Sequence, residues 1–163
     1  MNRILQVQFA VLRVIAFQSD IEIPGGRAKS LDWERVHMAS CARTAQFIAQ
    51  LRGVDHELAS CAAAVHDFGR IITGIHKNHA EVGYVPVQRF LKNEGIFTDS
   101  EISQIAMAVK NHSSKTTVGS PLDEVVKDAD VIDCYELGEP FDRVEKEKRY
   151  NAWLQELDKY KRL

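Results

Sequence analysis

The chain has 163 residues, 45% of them hydrophobic and 27% charged, the balance of a soluble globular protein long enough to bury a core without disulfide staples. Its formal net charge of −2 excludes a strongly basic nucleic-acid binder and leaves no polybasic patch for a membrane surface. Three widely spaced cysteines, Cys41, Cys61 and Cys134, form no CxxC pair and predict reduced thiols in a cytoplasmic setting.

In chain order the elements read as helices. The apolar run 4–17 is interrupted by Gln6, Gln8 and Arg13 and is too short to cross a bilayer, so a first helix is expected over 3–17, with neither a signal peptide nor a membrane span. A loop over 18–30 centres on Pro24-Gly25-Gly26. The second helix starts at Leu31 behind the cap Ser30 and ends before Gly53. A third runs from its cap Asp55 to Asp67, with Gly69 as the stop. The fourth covers 78–93, with Asn78 and Glu81 as a capping pair and a kink expected at Pro86. Thr98-x-x-Glu101 matches a capping box and opens a fifth helix that ends near His112. Ser120-Pro121 opens the sixth, and the seventh spans 141–160 with an apolar stripe of Tyr150, Trp153, Leu157 and Tyr160 and a solvated face over 145–149. Alternating strand patterns are missing, so the fold class is all-α, a single bundle of about seven helices over residues 1–163.

Three histidines stand on apolar helix faces. His37 precedes Cys41, Ala45 and Ile48, His66 follows Ala59 and Ala62, and His112 follows Ile102, Ile105 and Val109, all at helical spacing. Imidazoles converging inside a bundle are costly unless something coordinates them. Helical rise supports convergence: His37 lies roughly 21 Å up the second helix and His66 roughly 17 Å up its antiparallel neighbour. His79 and His112 stand at matching heights on the next helical pair. Carboxylates complete the group. Asp67 directly follows His66, and Asp130 shares a face with Leu122 and Val126, four residues apart each time. Asp133 is a possible substitute ligand, whereas Asp128 reads as a surface charge.

The ordered set His37, His66-Asp67 and Asp130, with ELASCAAAVHDFGR at 57–70, resembles the H…HD…D signature of the HD-domain superfamily of metal-dependent phosphohydrolases, over residues 31–143. His79, opening HAEVG, and His112, in AVKNHSSK, resemble the two extra histidines of its dinuclear branch. The resemblance implies one metal on His37, His66, Asp67 and Asp130, and a second on His79 and His112 with Asp67 bridging. Both would be divalent transition metals, Fe or Mn first, with Co, Ni or Zn possible. It implies hydrolysis of a nucleotide or other small phosphoester by a metal-activated hydroxide, with Asp67 and Arg70 catalytic. Arg70 stands where the family commonly has Lys and keeps the charge of a phosphate clamp. Lys115, Arg143 and His76 are further substrate-binding candidates, on sequence proximity to the site. The cysteines read as core fillers, and His56 as exposed. Two other functions are compatible with this ligand set: a di-iron oxygenase of the HD type and a non-catalytic regulatory module binding metal or nucleotide.

Overall fold

The computed structural model describes residues 2–18, 23 and 26–160. Among them are eight helices and no strand: α1 (Arg3–Gln18), α2 (Leu31–Arg52), α3 (His56–Val65), α4 (Phe68–Thr73), α5 (His79–Glu94), α6 (Asp99–Asn111), α7 (Pro121–Glu136) and α8 (Val144–Tyr160). Pro24 and Gly25 of the expected loop lie outside the described residues. No helix among the described residues is long and apolar enough to cross a membrane.

Four expected starts are seated by their own side chains. Ser30 accepts from the Trp33 amide, Asp55 accepts from the Glu57 and Leu58 amides, Thr98 forms a reciprocal box with Glu101, and Ser120 forms another with Asp123. The start at Asn78 differs. Asn78 is left-handed, with φ 58°, and makes no side-chain cap, because capping needs an extended backbone at that position. The helix behind it continues through Pro86 to Glu94.

The third helix also differs from its expected course. It stops at Val65, turns over His66 and Asp67, and resumes as α4. Gly69 is therefore not a stop. A Cβ placed on it would lie 2.1 Å from the His79 carbonyl oxygen and 2.7 Å from the Gly83 nitrogen, so α4 and α5 touch backbone to backbone there.

Packing sets the heights of the histidines. The buried faces of α2 and α3 are largely small: Cys41, Ala42, Ala45 and Ala49 on one, Ala59, Ala62 and Ala63 on the other. Small residues let the two axes approach closely. Helix α1 lies across α3 and α2, burying Val7, Val11 and Ile15, and Arg3 ties it to Glu57 at 2.8 Å and Glu101 at 2.7 Å. Helix α7 packs on α2 and α8 packs on α7, while the buried Trp153 of α8 meets Phe47 of α2, with ring centres 6.1 Å apart. Of the expected stripe on α8, Trp153 is buried and Tyr160 is 39% exposed. Arg149 does not face solvent as expected. It pairs with Asp128 at 2.7 Å and Glu124 at 2.8 Å, and Asp128 is itself buried between Arg149 and Arg52.

Candidate metal centre

Three of the four histidines are oriented by one device, an Nδ1 donation to the main-chain carbonyl three residues back. Carbonyls in the last turn of a helix lack intrahelical partners. His66 caps α3 and His112 caps α6, and each donates its Nδ1 proton to the carbonyl three residues back, Ala63 and Val109, at 2.6 Å. His79, first residue of α5, does the same to His76 at 2.6 Å. His37 donates instead to the Asp133 carboxylate at 2.6 Å, which also accepts from Ser40 Oγ at 2.9 Å. All four rings then present Nε2 to one place.

The Nε2 atoms meet in pairs, His37 with His66 at 3.2 Å and His79 with His112 at 3.0 Å. With each Nδ1 acting as donor, these are lone pairs facing lone pairs, a contact that only a shared cation or an added proton makes favourable. Asp67 stands between the pairs. Its Oδ2 lies 3.0 Å from His66 and 3.4 Å from His37, and its Oδ1 lies 3.0 Å from His79 and 3.6 Å from His112. Asp130 Oδ1 lies 3.4 Å from His37 Nε2 and 3.5 Å from His66 Nε2. The six residues that the resemblance singles out are thus brought together, and their nitrogen and oxygen donors fit a divalent transition metal.

The field at the centre calls for positive charge. Burial opposes ionisation of Asp67 and Asp130. Arg70 and His66 nonetheless hold Asp67 well below the usual carboxylate range, and Lys115, His37 and His66 do so for Asp130. Burial opposes a charge on His66 as well, but Asp67 and Asp130 lift it to about 9, while burial takes His112 down to about 4.

The remaining candidates are spread around a cavity of about 710 Å³ that opens above this centre. Arg70 is buried and forks onto Glu34 at 2.8 and 3.1 Å while its Nη2 also reaches Asp67. Its guanidinium lies 4.9 Å from the centre of the Trp33 ring. His76 stacks on His79 with ring centres 4.8 Å apart. Arg143 is exposed at the cavity mouth, near Asp142 and Glu145. Lys115 turns inward, its ammonium 2.6 Å from Asp130 Oδ2.

Several participants escaped the sequence reading. Glu34 was missed, although it lies one helical turn before His37 on the same face. Cys134, expected to be a core filler, lines the cavity and donates its thiol to Asp130 Oδ1 at 3.4 Å. Cys41 and Cys61 are buried, as fillers are. Asp133 acts as the orienting partner of His37 Nδ1.

A family model, HD domain, matches residues 36–137. Among solved structures, a predicted HD superfamily hydrolase from an uncultured Thermotogales bacterium is similar over 98% of this chain and 91% of its own, with a TM-score of 0.62 and 20% identity. At that identity the likeness speaks for the fold. No curated protein sequence matches. The family match spans more than half of the chain and includes His37, His66-Asp67 and Asp130, and on that evidence the chain belongs to the HD domain family.

Proposed function

We propose that the protein is a metal-dependent phosphohydrolase acting on a nucleotide or another small phosphoester. His37, His66, Asp67 and Asp130 would hold one divalent metal, and His79, His112 and Asp67 would hold a second. The observation that carries this reading is the placement of Asp67, whose two oxygens face two separate imidazole pairs. The bound metals, Fe or Mn first, supply an acidified water as nucleophile and charge for the phosphoryl oxygens.

The protein's own groups do the rest. Asp67 fixes the separation of the two half-sites, and Glu34 and Arg70 fix Asp67. Arg70 borders the cavity beside that carboxylate, with the charge and planar shape to bind a phosphoryl group there. His76 and Arg143, on the cavity wall, contact the outer part of the substrate. A space of about 710 Å³ falls in the range of small-molecule sites and suits a nucleotide-sized ligand. The whole chain, 1–163, works as one HD-like unit.

The test is elemental analysis of protein purified without added metal or chelator, followed by assays of phosphate release from mono-, di- and dinucleotides with Mn or Fe. About two metal equivalents with phosphate release is the expected result. No metal after reconstitution, and no release, overturns the reading. Oxygen consumption without phosphate release assigns the same ligand set to an oxygenase.

A further inference from the structure

Asp130 is held from two directions. Its Oδ1 faces His37 and His66, while its Oδ2 lies 2.6 Å from the Lys115 ammonium. The Lys115 side chain is only 1% exposed, and the other acceptor of its ammonium is the Lys127 carbonyl at 3.2 Å. The segment that carries Lys115, between α6 and α7, is pinned from behind. Arg149 Nε donates to the Lys115 carbonyl at 2.8 Å, Lys127 Nζ donates to the Thr117 carbonyl at 2.6 Å, and the Gly119 amide donates to Glu124 at 2.9 Å. Swinging Lys115 out to meet a substrate would strip the donor from both Asp130 Oδ2 and the Lys127 carbonyl.

We propose that Lys115 is a positioning residue and not a substrate clamp: it holds back one oxygen of Asp130, so that only Oδ1 is offered to a metal, and its fixed charge loosens the grip on that metal. The inference rests on the metal-binding reading above. Two physical effects lead to it. An ammonium bonded to a carboxylate oxygen withdraws that oxygen from the donor set and lowers the basicity of the other. A buried positive charge on the far side of a ligand also repels a cation on the near side, in an interior where screening is weak. The centre then holds its metal mainly through imidazole and keeps more of the positive charge for an anionic substrate.

The sign of the effect separates this role from simple structural support. Removing a prop would scatter the ligands and weaken metal binding, whereas removing a counter-charge strengthens it. The experiment is a competition titration of Mn²⁺ into chelator-stripped full-length protein, for wild type, Lys115→Met, Lys115→Gln and Lys115→Arg, with helicity followed by circular dichroism. Lys115→Gln keeps donors for Asp130 Oδ2 and the Lys127 carbonyl while removing the charge, so it reports even where Lys115→Met does not fold. Lys115→Met and Lys115→Gln are expected to bind the tighter Mn²⁺ at least ~10-fold more strongly, with Lys115→Arg within ~3-fold of wild type. Unchanged or weaker binding by a folded Lys115→Gln overturns the proposal. Wild-type protein that takes up no Mn²⁺ overturns the metal-binding reading itself.

Discussion

At the scale of single residues, the centre depends on groups that never touch its middle. Three imidazoles are aimed by main-chain carbonyls, which mutation of a side chain cannot remove. The fourth, His37, is aimed by Asp133, and here substitution can reach the device. Asp133→Ala is expected to leave a folded protein whose metal affinity falls about 10–100-fold, measured by competition with a chromogenic chelator. Affinity equal to wild type would mean that the helix alone holds the His37 ring. The six converging side chains were legible in the sequence, because a polar side chain on an apolar helix face stands out by spacing and the HD signature singles out the same positions. Their supports were not. Glu34 sits in the first turn of α2, where an acid is already accounted for by the helix dipole, so nothing marks it as the partner of Arg70. Lys115 and Asp130 are 15 residues apart, and nothing in the sequence fixes the direction of the lysine.

At the scale of elements, starts were easier to read than turns. Ser30, Thr98 and Ser120 each cap through a local hydrogen bond, written within four consecutive residues. The break at His66–Asp67 has no such local code. It is imposed by the close passage of α4 against α5, so Gly69 punctuates a tertiary contact instead of a helix end. Gly69→Ala tests this. A new methyl facing the His79 carbonyl and the Gly83 amide meets backbone that cannot turn aside, and the expected loss of stability is about 3 kcal/mol by urea denaturation. A variant as stable as wild type would show that α5 shifts freely, and with it His79. Pro86 carries the converse lesson: a residue unfavourable inside a helix is tolerated where α6 and α4 pack against that helix.

At the scale of the whole molecule, charge pairs tie the last helix to the rest. Glu124 accepts from Lys127 Nζ, Arg149 Nη2 and the Gly119 amide. Burial pushes its pKa up, but these three donors prevail and lower it from 4.5 to about 2. A carboxylate whose folded-state pKa is depressed adds stability that is complete above its unfolded value and is lost as pH falls through the folded one. Between pH 4.5 and 2, wild type is therefore expected to lose about 1–2 kcal/mol through this group, after allowance for solvent screening. Denaturation curves of Glu124→Gln should be correspondingly flatter over that window, and parallel slopes would remove the pair from the account. The all-helical class was legible from composition and punctuation, whereas this charge network was not, because a charged residue on a helix reads as solvated until a neighbour covers it. The fold's arrangement also bears on metal uptake. The apolar core runs from α1 through α2, α3 and α6 to α7, and three of the four imidazoles are anchored to main-chain carbonyls. On the proposed metal-binding reading, occupancy would be a linkage equilibrium on a scaffold whose core does not include the metal, unlike a zinc finger, whose metal is its fold. Stability should rise as RT ln(1 + [M]/Kd), which makes the melting temperature of this protein a readout of free metal in its surroundings.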